Sequence, residues 1–140
     1  MNLDRPLIRT WLSAALTGRP LPVLATYVDA SALIDAADAG GVLCLLSRQL
    51  AWHPQATALP PDWLPTIASA ARTETLDTLA VLAEQRKVFE ALQAAGIRFL
   101  VMKGGALAHW LYAHATLRLV TDLDILLPEP AAVAALQPVL

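Results

Sequence analysis

Two aspartates two residues apart, Asp122 and Asp124, lie in the apolar run DLDILLP, which covers residues 122–128. The run predicts a strand over residues 122–127, and residues at i and i+2 of a strand share one face, about 6.5–7 Å apart. Two carboxylates on one face offer the hard oxygen ligands that Mg²⁺ prefers. The spacing therefore permits a magnesium site, and a cation would account for two like charges side by side. Taken alone, however, such a pair is more often an exposed strand end.

The sequence Lys103-Gly104-Gly105 follows a second apolar run, residues 97–102, and precedes a helical pattern. We expect a glycine turn here between a strand and a helix. Glycines let an anion approach the backbone N–H groups at a helix N-terminus, and the lysine adds a mobile positive charge. The segment therefore suits a phosphate group, although a Gly-Gly pair in this position is also often only a tight turn. Its glycine spacing matches neither the dinucleotide-binding fingerprint nor the Walker loop.

The chain before residue 97 is predicted to be helical, because its apolar residues recur at helical spacing and capping residues and glycines mark the helix ends. These helices are therefore the elements that must position the two segments. The predicted helices run from an Asp4 cap to Gly18, from an Asp29 or Ser31 cap to Ala39, over residues 42–51, and from after Pro65 to Gly96. Residues 53–63 are proline-rich and predict a loop, in which His53 is expected to be a solvated turn residue.

The order of these elements predicts an α+β fold. An N-terminal helical region, residues 1–75, is followed by an αβ core, residues 76–140, with two strands and flanking helices. A further helix is expected after Pro130.

The composition limits the class of protein. Hydrophobic residues make up 56% of the 140 residues and charged residues 16%, which excludes disorder as the default. The formal net charge of −2 gives no attraction to nucleic acids or anionic membranes. No apolar run is long enough for a membrane span, and no signal-peptide pattern is present. The single cysteine, Cys44, is expected to be a buried hydrophobe, and we expect a cytoplasmic protein.

The stretch VMKGGALAHWLYAHATLRLVTDLDILLP, residues 101–128, resembles an uncharacterised bacterial nucleotidyltransferase family. Members of that family show a Leu-Lys-Gly segment, a tyrosine, an arginine and then Asp-Ile-Asp-Leu-Leu-Val. The matching positions are Lys103, Gly104, Tyr112, Arg118, Asp122 and Asp124. Residues 32–50 are also similar to the N-terminal part of the family, which belongs to the DNA polymerase β-like nucleotidyltransferase superfamily.

The resemblance implies a reaction and a set of binding residues. Asp122 and Asp124 would hold Mg²⁺, and an acceptor of unknown identity would attack the α-phosphorus of an NTP and release pyrophosphate. The residues implied to bind the nucleotide are Lys103, Gly104, Gly105 and Arg118. Lys103 would contact phosphate or only cap the strand's exit. Arg118 would pair with a phosphate or lock the turn before the strand.

The resemblance also implies that the catalytic site is incomplete. The superfamily uses a third carboxylate on a neighbouring strand, and Glu129, which lies in a proline-flanked turn, is the only acidic residue after Asp124. We therefore expect a partial nucleotidyltransferase-like domain, which is either truncated or completed by a second protein chain. Two alternatives stay open: a non-catalytic helical partner-binding protein with a vestigial nucleotide site, and a degraded fragment without a stable fold.

Incompleteness predicts that the protein alone has little or no transferase activity. Pyrophosphate release from each NTP in the presence of Mg²⁺ measures this activity directly. Robust turnover that disappears in Asp122→Ala would contradict the prediction.

Overall fold

The computed structural model describes residues 5–23 and 29–128. The fold is α+β, as predicted, with a two-stranded antiparallel sheet. The chain divides into two compact units, Met1–Thr75 and Leu76–Leu140. The predicted cap at Asp4 and the predicted helix after Pro130 lie outside the described residues. Within the described ranges, no helix is both long enough and apolar enough to cross a membrane.

The first unit is built from helices whose limits follow the predicted ones closely. They are α1 (Arg5–Thr17), α2 (Ala30–Ala39), α3 (Leu43–Ala51) and the beginning of α4 (Trp63–Ala94), with a 3₁₀ turn at Ala56–Ala58. Helix α4 starts before Pro65, because a proline in the first helical turn lacks only an N–H that would have no intrahelical partner. Gly18 and Gly96, at φ 67° and 68°, follow α1 and α4 in the left-handed conformation that ends helices.

Asp29 is the cap of α2, which decides between the two predicted candidates. Its carboxylate accepts a hydrogen bond from the Ala32 backbone N–H at 3.0 Å, and the Ser31 hydroxyl donates to the same oxygen at 2.7 Å. The hydrogen bond from Ser31 lowers the pKa of the Asp29 carboxyl, and the one from Ala32 acts in the same direction.

The core of the first unit is apolar and includes two tryptophans. Trp11 of α1 and Trp63 of α4 meet edge to face, with ring centroids 6.1 Å apart, an arrangement that aromatic pairs favour. Leu33, Leu46 and Leu50 are fully buried. This packing explains why a chain rich in alanine and leucine gives a helical unit here: each helix has one apolar face, and the faces bury one another.

His53 is buried, so the expectation of a solvated turn residue is wrong. Its side chain is only 7% exposed. Nδ1 accepts from the Gln55 backbone N–H at 3.2 Å, and Nε2 lies 3.1 Å from the Arg19 carbonyl oxygen, to which it donates in that tautomer. Gln55 Oε1 also accepts from the Leu21 N–H. The histidine therefore ties the loop after α3 to the loop after α1, a structural role that its position before a proline does not reveal.

Cys44 and Glu74 are buried side chains of the first unit that carry polar or ionisable atoms. The Cys44 sulfur lies 3.3 Å from both the Ala71 carbonyl and the Thr75 hydroxyl, and burial raises the pKa of the thiol. Glu74 is buried, and neither carboxylate oxygen has a hydrogen-bond partner among the described residues. Burial raises the pKa of the Glu74 carboxyl, and the negative charge of Asp38 acts in the same direction.

Glu74→Gln is predicted to become more stabilising, relative to the natural protein, as the pH rises. The pKa of Glu74 is raised in the folded state above its ordinary value of 4.5. The contribution of Glu74 to the free energy of unfolding is therefore fully present below pH 4.5 and is lost as the pH rises through the folded-state pKa. The slope of the difference is at most about 1.4 kcal/mol per pH unit, the value for one proton. Urea unfolding of both proteins between about pH 4 and pH 8 measures it.

Glu84→Gln is the matched control, since Glu84 is exposed and paired with Lys87. Its effect on the free energy of unfolding is expected to stay within about 0.5 kcal/mol of the natural protein. A Glu74→Gln effect that stays constant over the same range would show that the carboxyl titrates normally in the folded protein.

The second unit contains the rest of α4 and the sheet. The elements after α4 are β1 (Leu100–Met102), α5 (Lys103–Leu111), a 3₁₀ turn at Ala115–Leu117, and β2 (Asp124–Leu126). Phe89 of α4 stacks on Phe99, just before β1, with ring centroids 5.3 Å apart. On the opposite, solvent-exposed face of α4, ion pairs join Arg86 to Glu90 and Lys87 to Glu84.

Both strands are shorter than predicted, and the pairing register explains why. Leu100 pairs with Leu126, Val101 with Ile125, and Met102 with Asp124. Extending this ladder by two residues would place Asp122 opposite Gly104, which already belongs to α5. At the other end Pro128 has no N–H to donate. The ladder therefore stops after three pairs.

Candidate functional site

Lys103, not the glycine pair, makes the sharp change of direction between β1 and α5. Its φ is 48°, whereas Gly104 and Gly105 have no positive φ and form part of the first turn of α5. The expectation of a separate Gly-Gly turn is therefore wrong. The left-handed conformation of one residue, which costs a non-glycine residue about 1–2 kcal/mol, already turns the strand into the helix.

The two glycines have different surroundings. A Cβ added at Gly105 would lie 3.4 Å from the Gln85 Oε1 and 3.5 Å from the Val101 Cγ1, so the small residue allows close packing. A Cβ added at Gly104 would meet nothing within 4 Å. Glycine in a helix costs about 1 kcal/mol relative to alanine, and no packing in the described structure accounts for that cost at Gly104. Its open side leaves room beside the N-terminal amides of α5, and the side chain of the N-cap residue, Met102, makes no capping hydrogen bond.

Asp124 lies directly beside the start of α5, because its strand partner is Met102, the residue before Lys103. The Lys103 Nζ is 3.3 Å from the Asp124 Oδ2, and the side chains are 72% and 35% exposed. An ion pair this accessible to water stabilises the fold by at most about 1 kcal/mol. The ion pair therefore barely offsets the free-energy cost of the left-handed backbone conformation at Lys103. Its main consequence is that the Asp124 carboxylate already has a cation, the Lys103 ammonium, beside it.

Asp122 lies just before β2, in irregular backbone, and not within the strand as predicted. The alternation argument that put both carboxylates on one strand face therefore does not apply to it. Its position is fixed through its backbone, because the Asp122 carbonyl accepts a hydrogen bond from the Gln85 Nε2 at 2.8 Å. Its side chain stays exposed.

Gln85 is the site residue that the sequence did not reveal. It belongs to α4, it is only 5% exposed, and its amide contacts both halves of the site: the nitrogen holds Asp122, and the oxygen lies over the position of a Gly105 side chain. A buried side-chain amide needs partners for its polar atoms, and Asp122 supplies one. In the sequence Gln85 stands among charged residues, which is typical of an exposed helix face. The one contrary signal is that residues 81 and 89, four positions to either side on a helix, are apolar.

Arg118 follows the 3₁₀ turn that leads towards β2 and is half-buried. Its Nε is buried and has no hydrogen-bond partner among the described residues. Arg118 also takes part in none of the ion pairs found in residues 5–23 and 29–128. Both predicted roles, pairing with a phosphate and locking the turn, stay predictions.

Comparison with known proteins gives one match. The sequence profile of a family described as an uncharacterised nucleotidyltransferase matches residues 26–140. The chain belongs to this family. No curated protein and no solved structure matches the chain. The match confirms the resemblance carried by the Lys-Gly and Asp-x-Asp segments, and it makes nucleotidyl transfer the general activity to which the site geometry must be compared.

The family match bears on the predicted magnesium site at Asp122 and Asp124. Asp122 and Asp124 supply carboxylate oxygens, and two such ligands leave coordination positions for water and phosphate oxygens, as Mg²⁺ prefers. The described ranges contain no group of three or more His, Cys, Asp or Glu side chains arranged to hold a metal. A magnesium site at this pair therefore stays a prediction.

Gln85→Ala is predicted to lower the free energy of unfolding by about 0.5–1.5 kcal/mol, because it removes the part-buried hydrogen bond to the Asp122 carbonyl. Thermal and urea unfolding measure the loss. Gln93→Ala, an exposed substitution on the same helix, is the control and is expected to stay within about 0.5 kcal/mol of the natural protein. Equal effects of the two substitutions would contradict the anchoring role of Gln85.

Proposed function

We propose that this nucleotidyltransferase binds an NTP with Mg²⁺ at the junction of β1, α5 and β2 and transfers its nucleotidyl group to an acceptor. The observation that carries the proposal is the pairing of Met102 with Asp124, which brings a carboxylate beside the N-terminus of α5. An anion-binding helix end and a cation-binding side chain are thereby adjacent, as a metal-bound polyphosphate requires.

The start of α5 suits the phosphates. The first N–H groups of a helix have no intrahelical partners and carry the positive end of its dipole. At α5 they belong to Lys103, Gly104 and Gly105, and the open side of Gly104 allows a phosphate oxygen to approach the backbone. In the proposal these amides bind the triphosphate, and the Lys103 ammonium adds a charge-assisted contact.

The two aspartates suit the metal. In the proposal Asp124 and Asp122 bind Mg²⁺, and the Gln85 amide keeps the Asp122 backbone in place. When bound, Mg²⁺ would neutralise phosphate charge and orient the α-phosphorus for attack by the acceptor. Arg118 is proposed as a further phosphate contact. Any additional metal ligand is proposed to come from outside the described residues, including from a second chain.

Calorimetric titration of the protein with each NTP, with and without Mg²⁺, tests the proposal. Nucleotide binding is expected to require the metal. Asp124→Asn is expected to weaken nucleotide binding at least about tenfold, because loss of a group that only hydrogen-bonds to a metal ligand already weakens metal binding by about that factor. Asp77→Asn removes the same charge from an exposed position on α4 and is expected to change nothing.

Gly104→Ala separates binding from stability in the same titration. The added methyl group is expected to stabilise the helix by about 0.5–1 kcal/mol while it weakens nucleotide binding by occupying the open side of the helix end. Absence of metal-dependent binding to any NTP would overturn the proposal and favour the alternative, a partner-binding protein with a vestigial nucleotide site.

A further inference from the structure

We propose that Lys103 is the resident counter-ion of Asp124, which competes with the metal for this carboxylate until the phosphates of a nucleotide draw the ammonium away. The inference rests on the proposed function and adds a coupling to it: metal and nucleotide bind more tightly together than either does alone. Lys103 would then act on the metal site by occupying it, in addition to any contact with phosphate.

The ion pair is placed where such competition must occur. Lys103 Nζ lies 3.3 Å from Asp124 Oδ2, at the oxygen that a metal ion bound to Asp124 would share or take. Of the ion pairs formed by the described residues, two lie within α4, and Lys103–Asp124 is the one that involves β2. Among residues 5–23 and 29–128, Lys103 is therefore the cation that Asp124 has to exchange for a metal.

The pair is also free to open. Lys103 is 72% exposed and Asp124 is 35% exposed, so water can solvate both groups when they separate, and a flexible lysine stem can swing without moving the backbone. Separating a buried ion pair would leave an unpaired charge in the interior and would cost much free energy. Separating this exposed pair costs little, because water solvates both charges.

The backbone at Lys103 gives a second, independent indication. The residue adopts φ 48° at the junction of β1 and α5, a conformation that glycine accepts without strain. Yet lysine occupies this position, and two glycines that do not need a positive φ follow it. Because the exposed pair adds too little stability to explain a strained lysine, the strain is better understood as the means of aiming its ammonium at Asp124.

The same geometry gives the lysine a second partner when a nucleotide binds. Lys103 is the first residue of α5, so phosphates bound at the N-terminus of that helix lie within the reach of its side chain. A metal on Asp124 repels the ammonium, and phosphate oxygens attract it. By thermodynamic linkage, the nucleotide then raises the affinity for the metal by the same factor as the metal raises the affinity for the nucleotide.

Electron paramagnetic resonance titration with Mn²⁺, used as a spin-active substitute for Mg²⁺, measures the competition without any turnover. In the absence of nucleotide, Lys103→Met is expected to bind Mn²⁺ about 2–5-fold more tightly than the natural protein, the range that an exposed ion pair accounts for. With a non-hydrolysable NTP analogue present, the factor by which the analogue tightens Mn²⁺ binding is expected to fall in the variant.

Lys87→Met is the matched control. It removes the same charge and breaks an exposed ion pair of the same unit, with Glu84, and it is expected to leave Mn²⁺ affinity unchanged. Lys103→Gly fits the positive φ and provides a second variant if Lys103→Met folds poorly. Equal or absent effects of the Lys103 and Lys87 substitutions would overturn the inference.

The outcomes also separate this inference from the proposed function. If the natural protein binds Mn²⁺ and nucleotide together but Lys103 variants behave like Lys87→Met, the inference fails and the proposed function stands. If no nucleotide binds but Lys103→Met still tightens Mn²⁺ binding, the counter-ion role stands and the proposed function fails. If neither the natural protein nor any variant binds Mn²⁺, both the counter-ion role and the proposed function fail.

Discussion

The antiparallel register of β1 and β2 is the constraint on which the candidate site depends. Three residue pairs bring Asp124 opposite Met102, although the two are 22 positions apart in the sequence. In an antiparallel ladder, a shift by one residue moves every side chain to the other face of the sheet. Such a shift would turn Asp124 away from its present neighbours and remove its contact with Lys103. The ladder is short because α5 begins immediately after Met102, so the same junction that creates the site also limits the sheet.

A sheet of two short strands needs support from other elements, and α4 provides it in the second unit. The stacked rings of Phe89 and Phe99 hold the entrance to β1, and the Gln85 amide holds the entrance to β2 at Asp122. Both contacts come from the same helix, four residues apart, which places them on one face of it. One side of α4 thus fixes both strand entrances, while its exposed ion pairs lie on another side. The chain belongs to a nucleotidyltransferase family, and these contacts show how α4 supports the two segments that carry Asp122 and Asp124.

The prediction from sequence succeeded where local rules decide the outcome. The periodicity of the apolar residues gave the helices, and Asp29, Gly18 and Gly96 lie at helix ends where their side chains or positive φ values satisfy the backbone. The prediction failed where the decisive contact joins distant segments. His53 was expected in solvent and is buried against the Arg19 carbonyl, 34 residues away. Gln85 could not be told from the exposed polar residues around it, because helical spacing shows which residues share a face but not what packs against that face.

By itself, the sequence determined the residue types, their order and the elements that carry them. It supplied two aspartates at the start of a strand, a lysine and two glycines at the start of a helix, and the family membership that these segments share. The tertiary structure alone decided that Lys103 makes the turn, that its ammonium rests on Asp124, and that an amide from α4 holds Asp122. The physical reason is the range of the interactions: spacing within a helix or strand follows from local backbone geometry, whereas a contact between elements depends on register and packing, which only the whole fold sets.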